Sequence, residues 1–183
     1  MERLERLRIP ARRKATEIGR QLTDTTPGSV VRATFVSAGY GTYQVTGFAR
    51  QVSNLYVAGL ELGTPGKPSR DIVALEPRED VDFPTDTEAV PDRAALQASL
   101  AAVQSGDVVH ATFADPNYGP FAVLGVVVAS PDARERLVGA WFLTRDGGPA
   151  ARLIDIEVFA QAADHDLPVP AALTTWPSAK DEA

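Results

Sequence analysis

The sequence predicts a mainly β protein with flanking helices (α+β), built as a tandem duplication of a helix followed by a small β-barrel. Residues 28–47 (GSVVRATFVSAGYGTYQVTG) and residues 106–125 (GDVVHATFADPNYGPFAVLG) align without a gap and share ten identities in twenty positions. Both segments alternate core-type and surface-type residues, as half-buried strands do. Apolar residues at helical spacing precede each segment. These three observations together predict two copies of one unit.

The helical part of the unit is predicted from two matched pairs of apolar residues. Ile18 and Leu22 stand 78 residues before Leu96 and Leu100, and both pairs have the i,i+4 spacing of one helical face. Asp92 is a suitable N-cap for the second helix, because a carboxylate there accepts hydrogen bonds from the free N–H groups of the first turn. The repeating unit therefore begins with a helix.

The strands that follow are assigned from alternation and glycine placement. Gly47 and Gly125 take the same inward position in the second strand of each copy, which indicates either a sharp bend or a close approach of backbone. Residues 56–62 align with residues 137–143 as third strands, and residues 70–75 align with residues 152–157 as last strands. Several apolar residues fall on the predicted outward faces, where they form the contact between the copies: Val30, Val57, Val108, Val138 and Phe142.

The loop between the first two strands is the most informative turn. Gly41 and Gly119 each follow a tyrosine there, and glycine is the residue that most easily adopts a positive φ. We expect both glycines to share that conformation. Tyr40 and Tyr118 are the candidate partner-binding residues of the two loops, since paired aromatic side chains form docking platforms in small barrel modules. The alternative is that each tyrosine closes the open end of its own barrel.

Two strand residues complete the candidate partner-binding set. Arg32 in the first copy is replaced by His110 in the second, at a predicted outward position. Outward positions that diverge while the apolar frame is retained are typical of a changing binding surface. The alternative for His110 is a partly exposed strand residue with no chemical role, because a single imidazole makes no site.

The chain divides into five segments. A basic helical arm spans residues 1–24, and an acidic linker spans residues 78–91 between the two units. The first β-barrel repeat covers residues 25–77, the second helix plus β-barrel repeat covers residues 92–160, and an irregular tail covers residues 161–183. We expect residues 10–77 and 92–160 to superpose. The architecture resembles tandem SH3-like barrels, and that likeness concerns the fold alone.

Composition narrows the classes of function. The chain of 183 residues has a net charge of −6, no cysteine and two histidines. Thiol chemistry, disulfides and multi-histidine metal sites are thereby excluded within one chain. We expect no cofactor and no metal. No apolar run is long enough to cross a bilayer, and the N-terminus lacks the apolar core of a secretory signal. A cytoplasmic location is the expectation.

The N-terminal arm gives a nucleic-acid alternative. It contains seven basic residues among the first 24, and clustered arginine suits phosphate binding. The candidate contacts are Arg8, Arg12, Arg13 and Lys14. The favoured interpretation is that Leu4 and Leu7 pack the arm on the body of the protein or on a second subunit. The arm contains no aromatic residue on which nucleic-acid bases could stack.

These features favour a non-enzymatic binding or assembly module that recognises a macromolecular partner through two related units. No phosphate loop, nucleophile elbow or metal-spaced acid and histidine set is present in the sequence. A protein is the expected partner, and a homodimer is compatible with the pattern. Two alternatives stay open: a nucleic-acid-associated protein that uses the basic arm, and a cofactor-binding enzyme with a site between the repeats.

Overall fold

A computed structural model of the chain describes residues 2–8, 15–78, 91–132 and 134–170. The described helices are α1 (Glu2–Glu5), α2 (Ala15–Asp24) and α3 (Arg93–Ala101). The first half, residues 15–78, contains β1 (Val30–Ser37), β2 (Gly41–Gln51), β3 (Leu55–Val57), β4 (Leu60–Thr64), β5 (Lys67–Pro68) and β6 (Ile72–Pro77). The second half, residues 91–170 without residue 133, contains β7 (Asp107–Asp115), β8 (Gly119–Ala129), β9 (Arg136–Val138), β10 (Trp141–Arg145), β11 (Gly148–Pro149) and β12 (Leu153–Gln161).

All twelve strands join one antiparallel network. Strands β2 and β8 pair at its centre, β1 and β7 flank them, and β6 and β12 lie outside, which gives the order β6–β1–β2–β8–β7–β12. The last residues of β2 and β8 pair instead with β3 and β9, which continue into β4–β5 and β10–β11. The protein is mostly β with few helices, as the sequence predicted.

The strand registers of the two halves correspond. Val31 pairs with Gly47 across β1 and β2, and Val109 pairs with Gly125 across β7 and β8. Strand β1 also pairs with β6, and β7 pairs with β12, with a register shift at the matching place in both. At the centre, β2 and β8 place residue Val45 opposite Val123, its own counterpart in the alignment.

The paired glycines at this centre lie close to side chains from both halves. A Cβ on Gly47 would lie 3.1 Å from the Phe121 Cβ and 3.2 Å from a Val57 methyl. A Cβ on Gly125 would meet Val138 at 3.0 Å and the Tyr43 Cβ at 3.1 Å. Such distances are tighter than ordinary van der Waals contact. The predicted close approach at both glycines is confirmed, and each glycine contacts one residue from either half.

The helices close the core at matching places. Ile18 and Leu22 of α2 are buried in the main hydrophobic cluster, as are Leu96 and Leu100 of α3. The Asp92 carboxylate accepts hydrogen bonds from the Ala94 and Ala95 backbone N–H groups at 3.0 and 3.1 Å. The predicted N-cap is therefore confirmed. Residues 9–14, where the sequence predicted the start of the first helix, lie outside the described part of the chain.

Three of the valines that the sequence places between the copies are buried. Val57, Val108 and Val138 are fully inaccessible to solvent. The third strand that the sequence predicted as continuous over 56–62 is divided by a turn at Ala58 and Gly59. Val57 and Val138 pack over the central glycines. Val108 belongs to a separate apolar cluster that the N-terminal segment covers.

The last strands correspond one residue away from the predicted alignment. Ile72 pairs with Phe35, and Leu153 pairs with Phe113. Ile72 thus matches Leu153, whereas the alignment of residues 70–75 with residues 152–157 matched it to Ile154. The observed offset of 81 residues is the one that also relates residues 56–62 to residues 137–143, so the third and last strands correspond with one common spacing.

The N-terminal segment and the first part of the tail pack on the second half. Leu7 and Leu167 are buried in one cluster with Val108, and Leu4 packs against it. A 3₁₀ turn over Ala162–His165 precedes Leu167, so the start of the predicted irregular tail is structured. Residues 79–90 of the predicted linker and residues 171–183 lie outside the described residues.

Candidate functional site

The loop between β7 and β8 presents Tyr118 at the seam of the two halves. The Asp115 carboxylate accepts hydrogen bonds from the backbone N–H of Asn117 at 2.7 Å and of Tyr118 at 3.3 Å. Gly119 follows with a φ of 74°. The Tyr118 ring lies against Gly59 in the β3–β4 turn of the other half, and the residue is 37% exposed. An aromatic side chain is therefore held at the surface where the halves meet.

The matching loop between β1 and β2 has a similar backbone conformation, but its tyrosine has a different environment. The Ser37 hydroxyl accepts hydrogen bonds from the Gly39 and Tyr40 backbone N–H groups at 3.3 and 3.4 Å, and Gly41 has a φ of 71°. The predicted shared conformation of the two glycines is confirmed. Tyr40, however, packs partly buried against the main core. Of the two candidate tyrosines, Tyr118 is the one with an open face.

A groove of about 630 Å³ opens beside Tyr118. One wall is the β3–β4 turn of the first half, and the rest comes from strands β10 and β11 and the loops around β7 and β12 in the second half. The residues that determine its chemistry are Asp115, Tyr118, Trp141, Phe142, Arg145 and Arg152. Its volume falls in the range typical of ligand sites.

The aromatic wall of the groove is continuous with the core. Trp141 is half-buried, and its ring centroid lies 5.3 Å from that of Phe121 and 6.5 Å from that of Phe113. Tyr43 meets Trp141 edge-on at 6.3 Å. Burial, with smaller effects of Asp71 and Tyr40, raises the pKa of Tyr43 to about 12. Because these rings hold it from behind, Trp141 offers a rigid apolar surface to the groove.

Two arginines line the same groove. The Arg152 Nε lies 3.7 Å from an Asp115 carboxylate oxygen, and the arginine side chain is 57% exposed. The Arg145 guanidinium lies over the Phe142 ring, 5.2 Å from its centroid. Arg93 of α3 donates hydrogen bonds to the carbonyls of Pro149 and Ala150 at 2.7 and 3.1 Å, which ties the helix to this wall.

Arg32 and His110 lie elsewhere. Arg32 in β1 pairs with Thr46 and Glu76, and His110 in β7 pairs with Leu124 and Glu157. Three strand spacings, about 14 Å, separate β1 from β7. Neither residue is among those that line the groove. The structure therefore does not bring these two candidates together with Tyr118.

The electrostatic surroundings of His110 come from the edge of the sheet. Burial, first, and then the Arg3 guanidinium lower the pKa of His110, while Glu157 and Asp155 act in the opposite direction. Arg3 itself lies 3.3 Å from a Glu157 carboxylate oxygen. His110 is half-buried beside an ion pair, and this position fits the structural interpretation that the sequence left open.

The N-terminal arm is attached to the second half by apolar and charged contacts. The Arg3 guanidinium lies over the Phe159 ring at 5.0 Å, and Leu7 is buried. Exposed Arg8 pairs with Glu5 at 3.4 Å. The remaining nucleic-acid candidates, Arg12, Arg13 and Lys14, lie outside the described residues.

The sequence interpretation missed most of the groove. Trp141, Phe142, Arg145 and Arg152 were not selected as site residues, because none belongs to a recognised motif, and Phe142 was assigned only to the contact between the copies. A signal was present nonetheless. At the matching positions of the first half stand Leu60, Glu61, Thr64 and Asp71. Divergence of four groove-lining positions, beside an otherwise similar frame, marks the place where the two halves differ in chemistry.

Comparisons with protein-family models, with curated proteins and with solved structures found no match. Among the described residues, no three histidine, aspartate or glutamate side chains are grouped to hold a metal ion. None of the helices in the described part combines the length and apolar character that crossing a bilayer requires.

Proposed function

We propose that the protein is a non-enzymatic binding module that recognises a protein partner through the groove beside Tyr118. The observation that supports this function best is the exposed aromatic ring of Tyr118, which lines the same groove as Trp141 at the seam of the halves. Aromatic residues in a concave surface with a polar rim are typical hot spots of protein interfaces.

The architecture behind this function is, in our proposal, a duplicated helix plus small SH3-like β-barrel. The matching registers of β1–β2 and β7–β8, and the glycines with similar φ at 41 and 119, support a common origin. Duplication supplies two frames, of which one can diverge while the other maintains the fold. The second half has diverged into a groove rich in aromatic residues and arginine.

The partner surface is expected to be a peptide segment. A groove of about 630 Å³ accommodates a few extended residues better than a folded surface. Its acid, Asp115, is engaged with Arg152 and with two backbone N–H groups. The polar groups of the groove are thus arranged for positioning and recognition.

A capture experiment tests this function. Tagged wild type, Tyr118→Ala and Val52→Ala are incubated with native extract, and the retained proteins are quantified by mass spectrometry. Val52 is 85% exposed on a loop of the first half and serves as the matched surface control. We expect specific partners to be lost with Tyr118→Ala and retained with Val52→Ala. Partners retained equally by all three proteins would contradict the assignment.

The two alternatives make different predictions. Nucleic-acid association through the arm predicts salt-dependent retention on heparin that is lost when residues 1–14 are deleted. The groove is favoured because Arg3 and Arg8 are paired with Glu157 and Glu5. An enzyme with a cofactor between the halves predicts stoichiometric binding of a small metabolite, and such binding would overturn the proposed function.

A further inference from the structure

Residues 2–8, called the strap from here on, are held on the second half by few contacts. Leu7 is buried in an apolar cluster of that half, and Leu4 packs against the same cluster. The Arg3 guanidinium lies over the Phe159 ring at 5.0 Å. The helix of the strap, α1, has four residues, and helices this short are not stable alone. The order of the strap therefore depends on its docking.

One carboxylate of β12 adjoins both the strap and a histidine. A carboxylate oxygen of Glu157 lies 3.3 Å from the Arg3 Nη1. Glu157 is also the cross-strand partner of His110 in the β7–β12 pair. Directly opposed residues of antiparallel strands share one face of the sheet, with Cβ atoms about 4.5–5.5 Å apart. A proton on His110 therefore places a second cation beside the ion pair that holds the strap.

Within the described part of the chain, the charged groups around His110 come from three elements. Arg3 belongs to the strap, Glu157 and Asp155 belong to β12, and Arg32 belongs to β1, whereas the cross-strand partner in β8 is a leucine. Burial, first, and then Arg3 lower the pKa of His110, with a smaller effect of Arg32 in the same direction, while the two acids raise it. Of these charged groups, Arg3 alone leaves when the strap dissociates.

We propose that the strap is a pH-sensitive element, which is docked when His110 is neutral and released when His110 is protonated. The repulsion between the imidazolium and the Arg3 guanidinium exists only in the docked state, so proton binding and docking oppose each other. Docking is strongest above the pH range in which His110 titrates, and it weakens as the pH falls through that range. Release uncovers part of the apolar cluster that contains Val108 and Leu124. The strap is separate from the groove, so this inference does not depend on the proposed function.

A spin label on the strap tests the inference. The chain has no cysteine, so Glu5→Cys gives a single attachment site in the full chain. Glu5 is exposed and pairs with Arg8 inside the strap, so a label there leaves the contacts with the second half in place. Electron paramagnetic resonance spectra at about pH 7.5 and about pH 5.5 give the ratio of mobile to immobilised label. We expect an immobilised label at the higher pH and a ratio about fivefold greater at the lower pH, the lower end of the usual coupling between two sites.

The two histidines of the chain provide matched variants of the labelled protein. His110→Gln removes the proton-binding group and should give nearly the same ratio at both pH values. His165→Gln, in the 3₁₀ turn after β12, removes the other imidazole and should respond to pH as the labelled parent does. Arg3→Gln is expected to raise the ratio at the higher pH and to reduce its pH dependence. An undiminished pH response in His110→Gln, or a response lost in His165→Gln, would overturn the inference.

Nuclear magnetic resonance titration of the full chain measures the reciprocal effect and does not depend on the folding of His110→Gln. Arg3→Gln should raise the pKa of His110, with the second imidazole as internal reference. An unchanged pKa of His110 in Arg3→Gln would show that the strap and the proton are not coupled, and it overturns the inference. Circular dichroism at both pH values separates release from unfolding. A mobile label that appears only with loss of the native spectrum, or an absence of pH response in the labelled parent, also overturns the inference.

Discussion

The two halves of the molecule share a frame and differ at one surface. Phe35 stacks on Tyr43 at 5.4 Å, and Phe113 stacks on Phe121 at 5.1 Å, at matching positions of the two halves. The loops that follow contain Tyr40, packed against the core, and Tyr118, open to a groove. Close packing fixes the frame, because few other side chains fit there. Surface positions are under no such constraint, so the difference in chemistry is found on the surface.

The largest expected effect of exchanging matching residues between the two halves is a loss of stability at Gly63. This glycine has a φ of 126°, and a Cβ there would lie 2.4 Å from the Lys67 carbonyl oxygen, whereas the matching residue in β10 is Thr144. We expect Gly63→Thr to lower the free energy of unfolding by about 3 kcal/mol or more, since both backbone strain and a backbone clash result. Urea denaturation measures this change.

Thr144→Gly is the reciprocal control, and it is expected to cost only about 1–2 kcal/mol, from added chain entropy and lost packing. A loss below 1 kcal/mol in Gly63→Thr would mean that the two turns can adopt one geometry.

Substitution of the two tyrosines is expected to affect stability and binding differently. Because Tyr40 packs against the core, Tyr40→Ala should lower the unfolding free energy by about 2 kcal/mol. Tyr118 is 37% exposed, so Tyr118→Ala should cost less than about 1 kcal/mol while it abolishes partner capture. Thermal unfolding of both variants checks the order. A larger loss in Tyr118→Ala would show that its ring stabilises the seam between the halves.

The turn glycines should respond unequally despite their shared conformation. A Cβ on Gly41 would lie 2.8 Å from the Pro170 Cγ, whereas one on Gly119 meets Phe48 at an ordinary 3.6 Å. We expect Gly119→Ala to cost about 1 kcal/mol from the positive φ alone, and Gly41→Ala about 2 kcal/mol. Equal losses in urea denaturation would indicate that residue Pro170 moves aside without cost.

The smallest expected effect is a change in the pH dependence of stability at His110, the counterpart of Arg32. The folded-state pKa of His110 is lowered from 6.5, chiefly by burial and then by Arg3. The unfolded chain therefore takes up this proton at a higher pH than the folded chain does. The stabilisation is complete above pH 6.5 and decreases as the pH falls through that value.

His110→Gln should flatten this part of the stability profile, measured as the change in Tm between pH 7.5 and about pH 5.5. Asp155→Asn is the comparison, because removal of an acid that raises the pKa of His110 should steepen the same region. An unchanged slope in His110→Gln would assign the pH dependence to other groups.

Local rules made several features predictable. The Asp92 cap and the positive φ of Gly41 and Gly119 depend on a few neighbouring residues, and the structure has them as expected. The third strand was predicted as continuous over residues 56–62, whereas a turn at Ala58 and Gly59 divides it, and Ala58 adopts a φ of 48°, which alanine rarely does. Pattern reading fails where a residue is held in an unusual conformation by its surroundings.

The groove could not be predicted from such local rules. Trp141, Arg145 and Arg152 come from β10 and the loop before β12, and the opposite wall at Ala58–Leu60 precedes them by about 80 residues. No spacing within the chain links these parts. Their proximity follows from the pairing of β2 with β8, which aligns the two halves.

The sequence by itself determined the mainly β class, the glycines that close the turns and cross at the centre, and the cap of α3, because these features follow from local backbone and side-chain chemistry. The tertiary structure alone decided that Val45 faces Val123, that residue Tyr40 is packed while Tyr118 is open, and that two arginines meet an aromatic wall. Those outcomes depend on which edges and faces come together. Long-range packing sets that arrangement, and no local preference encodes it.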